Sequence, residues 1–283
     1  MKKNVLTTNQ KAALYTKEAL YMLIISFALI SCGDPIDVTD RYNLEKNAGL
    51  VPKVAFEGRI SNQVDSNYVK ITGPSSIKSS DISYIPNAMV SISDNRGNSE
   101  ILSYVGNGRY QCYSMVGESD GRVYTMNATV NGVVYTATQV MPFPLLPGEY
   151  VTYEEEENRK GRYKMLLFAS VRTDQDEYYM FQSFKNDTLE NDAGDVLVAD
   201  NQLLNGKIEG IEMVDGFEKG DRFRYKIFSI TKEAYDFYNG INAQLNNDGG
   251  VFSTPPANVK GNIPDAQGLF QATYFVSDTI TVK

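Results

Sequence analysis

The sequence predicts a mainly β protein. An N-terminal immunoglobulin-like or transthyretin-like β-sandwich is followed by a C-terminal antiparallel β domain with one packed α-helix. Three observations predict this. Seven or so short alternating runs fall within about 90 residues after Val51, as in a sandwich. Asn131-Gly132 separates two of those runs, and an Asn-Gly pair in that setting is the strongest short-range hairpin signal because both turn positions need positive φ. Apolar residues take helical spacing in one stretch alone, about 232–245. The 283 residues, 42 % hydrophobic and 22 % charged, have ordinary globular composition, and about 150 residues per domain suggests two domains.

The first elements are read as an address. Lys2, Lys3, Lys11 and Lys17 precede Tyr21 to Ile30, which is apolar except for Ser26. About ten residues span ~15 Å as a helix, half the ~30 Å of a bilayer's hydrocarbon core. Residues 1–31 therefore read as a secretory signal rather than a span. Leu29-Ile30-Ser31-Cys32-Gly33 resembles the bacterial lipobox, so Cys32 is expected to carry acyl chains such as palmitate and to become the mature N-terminus. The alternative is a plain signal peptide with an incidental cysteine. Cleavage removes four Lys and one Glu, a net +3, and takes the charge from −8 to −11. So acidic a body is not drawn to anionic lipid by surface charge, and the lipid anchor has to hold it to the membrane. The same acidity argues against nucleic acid as a partner.

Residues 32–50 lack any period and read as a polar tether. The sandwich is expected over 51–141. Its strands are Val54 to Ile60, Tyr68 to Ile71, Ala88 to Ser93, Glu100 to Tyr104, Arg109 to Tyr113, and the hairpin Val123 to Val130 with Val133 to Thr138. The order of Pro86 to Val90, Gly97-Asn98, Gly108 to Tyr110 and Gly121 to Tyr124 resembles carboxypeptidase-regulatory-type modules, which implies a spacer or docking role. Cys112 lies in a strand-like context and reads as a buried small hydrophobe. Three prolines within Met141 to Gly148 place a linker at 142–150.

The C-terminal domain, 151–283, opens with the run Glu154 to Glu157, read as a solvated loop or strand edge, with a calcium site as the alternative. Strands are expected at Tyr163 to Val171, Glu177 to Phe184 and Arg222 to Ser229. The helix follows, with Ser229 and Thr231 as caps and Ala234, Phe237, Tyr238, Ile241 and Leu245 on one face. Two strands, Leu269 to Val276 and Thr279 to Val282, close the chain.

Candidate chemistry is sparse. There is no His and no Trp, and the two cysteines are Cys32 and Cys112. Without His there is no Ser-His-Asp or Cys-His pair, no usual zinc site and no imidazole base. Ser75 to Lys78 and Ser229 to Lys232 have Ser-x-x-Lys spacing, but the Lys-Thr-Gly and Ser-Asp-Asn partners of serine-lysine acylases are missing. Asn186 to Asp195 fails the calcium-loop template, since Leu189 stands where an acid is needed. No cofactor, metal or catalytic residue is assigned. A facing pair of carboxylates remains a second reading, because two acids suffice for glycoside hydrolysis. The 19 Tyr and 13 Phe suit a contact surface as well as a core.

Ser229 to Tyr238, Gly249 to Pro256, Lys260 to Ile263 and the closing Tyr274-Phe275, taken in order with the lipobox, resemble one family. It is the Bacteroidota lipoprotein family catalogued as domain of unknown function 4249. The resemblance implies a lipid-anchored outer-membrane protein, often encoded near a TonB-dependent transporter and facing either the periplasm or the cell exterior. It implies no established chemistry. Asp34 and Asp37 resemble in part the acidic export signal of surface lipoproteins. Asp187-Thr188-Leu189 and Asp278-Thr279-Ile280 resemble the Asp-Thr-apolar acceptor of periplasmic O-glycosylation, which marks Thr188 and Thr279. The leading expectation is a non-enzymatic binding or accessory lipoprotein beside such a transporter, its ligand or partner contacts made by the helix and the Phe252 to Ile263 loop. A carboxylate-based hydrolase and an adhesin or structural surface protein are the rivals.

Overall fold

The structure is a computed structural model that describes residues 54–74, 82–190, 197–203, 206–245 and 259–283. The signal 1–31, Cys32, the tether to 50, Ser75 to Lys78 and Phe252 to Asn258 of the expected contact loop lie outside the described residues. In chain order the strands are β1 Ala55–Ser61, β2 Tyr68–Thr72, β3 Met89–Asp94, β4 Ser99–Ile101, β5 Ser103–Gly106, β6 Arg109–Gln111, β7 Val123–Val130 and β8 Val133–Val140. They continue as β9 Tyr150–Glu156, β10 Arg159–Ser170, β11 Tyr178–Lys185, β12 Thr188–Leu189, β13 Leu197–Asp200, β14 Lys207–Phe217, β15 Arg222–Ile230 and β16 Gln267–Thr281. Helix α1, Lys232–Leu245, lies between β15 and β16.

Three sheets result. A nine-stranded sheet runs β12-β11-β15-β16-β1-β2-β6-β5, with β13 also on β11. A four-stranded sheet runs β4-β3-β7-β8 and a three-stranded sheet β14-β10-β9. The chain is mainly β and sandwich-like, with one α-helix among the described residues. β1 and β16 pair in parallel, while every other named pair is antiparallel.

Side-chain alternation along β16 shows how one sheet serves three cores. Phe270 and Ala272 join Phe56, Ile60, Ile71, Ile92, Tyr124 and Met126 in a core against the four-stranded sheet. Val276 and Ile280 face the same way further along and join Met165, Leu167, Phe181, Phe217, Phe223 and Ile227 against the three-stranded sheet. Leu269 and Phe275 point to the opposite face, where Met180, Phe228 and Ile230 meet Ala234, Tyr235, Phe237 and Tyr238 of α1. Gly58 pairs with Phe270, and a Cβ there would lie 2.9 Å from the Phe270 ring, so the parallel pair needs glycine at this point.

The Asn131-Gly132 hairpin forms with φ of 50° and 83° at its turn. Elsewhere the elements differ from expectation for physical reasons. The run Glu100 to Tyr104 is two strands. At the buried Leu102 the chain leaves the four-stranded sheet for the nine-stranded one. The two expected closing strands are one, because Ser277 and Asp278 stay in register with Lys226 and Tyr225 and the Ser277 hydroxyl donates to the Tyr225 carbonyl. Glu154 to Glu156 keep to the expected strand edge, on β9 at the exposed side of the three-stranded sheet. The helix cap is Thr231, whose Oγ1 accepts the Ala234 N–H; Ser229 is instead a buried strand residue. Leu245 is 54 % exposed and does not reach the core face. The Pro-rich segment lies between β8 and β9, while the nine-stranded sheet takes strands from both sides of it. Pro52–Lys283 is one compact unit. Among the described residues no helix is long and apolar enough to cross a membrane.

Candidate functional site

The alternation that buries Phe228 beneath α1 places Lys226 and Arg224 on the same face of β15, toward one side of the helix. Lys226 stands opposite Gln182 of β11 and Ser277 of β16. On β1, Arg59 stands opposite Gln271 of β16 and Tyr68 of β2. Together these strands and Tyr238 of α1 enclose a pocket of about 240 Å³ lined by Glu57, Arg59, Tyr68, Gln182, Lys226, Tyr238 and Gln271, with Met180 and Phe181 as apolar wall.

The pocket is charged and mostly uncompensated. Among the described residues no carboxylate lies within ion-pair distance of Lys226 or Arg59, although the chain carries net charge −8. Lys226 Nζ lies 5.1 Å from the Phe275 ring centre, a cation–π contact. Burial, then the neighbouring Arg59 and Arg224 guanidinium groups, push the Lys226 ammonium below its ordinary value. Arg224 is occupied elsewhere, stacked 3.8 Å from the Phe184 ring centre and 3.6 Å from Asp187. Arg59 Nε donates to the Ser66 carbonyl at 3.0 Å, and its guanidinium lies over the Tyr68 and Phe228 rings. Arg109 stacks 3.9 Å from the Tyr68 ring centre.

The one carboxylate in the lining, Glu57, accepts the Tyr68 hydroxyl. Burial, then the Glu57 charge, push the Tyr68 phenol far up, and burial also raises Tyr238. Gln271 is 7 % exposed; its Nε2 donates to the Tyr238 hydroxyl at 3.1 Å, while its Oε1 is buried without a hydrogen-bond partner. Buried acceptors without partners cost roughly 1–3 kcal/mol, so this one invites a donor.

The residues singled out from sequence are placed as follows. Cys112 is fully buried and its thiol donates to Glu100; burial and that carboxylate push it up to about 12, which makes it a poor nucleophile. Lys232 pairs with Asp236 at 2.6 Å rather than with Ser229. Thr188 and Thr279 are both exposed and lie at the same end of the nine-stranded sheet. Among the described residues no group of three or more Cys, Asp and Glu side chains is arranged to hold a metal. In a second cleft, about 250 Å³ and lined by Val140, Phe143, Tyr178, Ile230, Asp176, Glu177 and Lys232, Glu177 accepts from Arg172 and Tyr179 and Lys232 is paired with Asp236, so its cation is already matched. The pocket residues were missed in sequence. Their trace was the basic face of Arg222, Arg224 and Lys226 continuing into Phe228, a cationic stripe that runs under an aromatic core.

A family model described as a domain of unknown function, DUF4249, matches residues 39–277. No curated protein matches the chain.

Proposed function

The chain belongs to the DUF4249 family, and from that premise we propose that it is a non-enzymatic binding or accessory lipoprotein of the cell envelope, held by acyl chains on Cys32 and working beside a TonB-dependent outer-membrane transporter. The observation that carries the binding role is the cationic pocket in an acidic chain. Its two cations have no ion-pair partners among the described residues, which is a costly arrangement unless something anionic occupies it. The lining offers one carboxylate where glycoside hydrolysis uses two, and that carboxylate holds the Tyr68 hydroxyl, whose proton burial and the Glu57 charge make hard to remove, so binding is the better reading than hydrolysis. The lipobox and the family resemblance support the anchor and the transporter.

Two measurements test this. Mass spectrometry of the mature protein is expected to find an acylated N-terminal Cys32. Tagged full-length protein extracted in detergent is expected to carry a TonB-dependent transporter with it. An unlipidated N-terminus elsewhere, or repeated recovery of the protein alone, would overturn the proposal.

A further inference from the structure

Resting on that reading of the pocket as a ligand site, we propose that its ligand is a small monocarboxylate that also carries hydrogen-bond donors, hydroxyl or ammonium. The carboxylate sits between Lys226 and Arg59, and a donor meets Gln271 Oε1.

Charge sets the first half of this. Arg59 and Lys226 bring two positive charges and Glu57 one negative, so the lining is left with a single positive charge. A single carboxylate answers the two cations, whether the rest of the ligand is neutral or carries an ammonium that pairs with Glu57. A dianion such as phosphate would overshoot and face the Glu57 carboxylate, and like charges in a partly buried site repel strongly. Donor and acceptor inventory sets the second half. Gln271 Oε1 has no partner, and Glu57 Oε1 accepts one hydroxyl, which leaves acceptor capacity on the carboxylate. Both want donors, which a plain fatty or aromatic acid lacks. Size sets the limit: about 240 Å³ equals about eight waters at ~30 Å³ each, which restricts the ligand to a small molecule of amino-acid or single-sugar size.

Titration calorimetry on the full-length, detergent-solubilised protein, at a mildly alkaline pH where inorganic phosphate is mostly dianionic, tests this with four probes: D-glucuronate, L-glutamine, D-glucose and inorganic phosphate. One or both carboxylates are expected to bind, and which one does names the donor as hydroxyl or ammonium. Glucose and phosphate are expected to bind at least tenfold more weakly. Lys226→Met keeps the apolar stem and removes the charge, so carboxylate affinity should fall tenfold or more while the melting temperature holds or rises; Lys226→Arg should retain binding. Glu57→Gln should strengthen phosphate binding. Silence from both carboxylates, equal binding of glucose, preference for phosphate in the wild type, unchanged affinity in K226M, or a lower melting temperature for K226M would each overturn the inference. Co-purification with a transporter despite silence from both carboxylates would sink the ligand class and leave the accessory role standing.

Discussion

At the scale of the residue, two ionised side chains do opposite things to stability. The Glu100 carboxylate accepts the backbone N–H groups of Tyr113, Ser114 and Met115, the Ser114 hydroxyl and the Cys112 thiol, and so ties the loop after β6 to β4. Burial alone would raise it, but these donors, led by the Ser114 hydroxyl, hold it at about 2 against an ordinary 4.5. Because the folded state binds this proton more weakly, the stabilisation is complete above pH 4.5 and is lost as pH falls toward 2. Glu100→Gln should cost on the order of 2 kcal/mol at pH 7, after allowance for solvent screening, and flatten the acid limb of a urea-melt series. Lys226 runs the other way. Its folded value is depressed below 10.5, so its charge costs stability at neutral pH, and that cost is relieved as pH rises through the folded value. The groups around it are Arg59 and Glu57 on β1, Tyr68 on β2, Arg224 on its own strand and Tyr238 on α1. Both tyrosines are pushed up and Lys226 down, so Lys226 titrates ahead of the two lining phenols. Carboxylate affinity measured by calorimetry should therefore fall as pH climbs toward 10.5, and K226R should abolish the fall.

At the scale of the element, legibility followed periodicity. The hairpin of β7 and β8 and the helix were readable because Asn131-Gly132 and Thr231 act locally, through positive φ and a cap. β14 was not readable. Its apolar Ile208, Ile211, Met213, Val214 and Phe217 drop out of a two-residue period because Gly210 and Gly216 take positive φ and the ladder to β10 slips register. The pocket was unreadable for a different reason: Arg59 and Lys226 are strangers in sequence, brought to one face by β16 lying between their strands. A cross-sheet clamp was equally hidden. Gln139 of β8 accepts the Thr231 hydroxyl at 2.9 Å and donates to Glu233 at 2.6 Å, which fixes the first turn of α1. Gln139→Leu should cost about 1–2 kcal/mol and speed amide exchange in the first turn of α1, with protection in β15 unchanged. Equal exchange in the helix would mean that packing of Ala234 and Tyr238, not the clamp, fixes it.

At the scale of the whole molecule, β16 is the strand on which all three cores depend. Asn62, just past β1, donates to the Phe275 carbonyl and accepts the Phe275 N–H across 213 residues of chain. Closing a loop of that length costs about 5 kcal/mol of chain entropy. No single sheet contact offsets so much, but burying Leu269, Phe270 and Phe275 at about 2 kcal/mol each does, and these three side chains divide between two cores. The four-stranded sheet thus has no complete core until the last strand arrives, and neither does the three-stranded sheet, which waits on Val276, Ile280 and Val282. Parallel closure between distant strands also places the structure among slow-folding, high-contact-order topologies. Pro52–Lys283 should therefore unfold in one cooperative transition despite the proline-rich segment in its middle. Calorimetry of the full chain is expected to give a single endotherm whose van't Hoff and calorimetric enthalpies agree. Phe270→Ala should lower that one transition by about 3–5 kcal/mol in stability rather than split it. Two resolved endotherms, with F270A moving only one, would mean that residues before and after the prolines fold independently and that β16 joins them without coupling them.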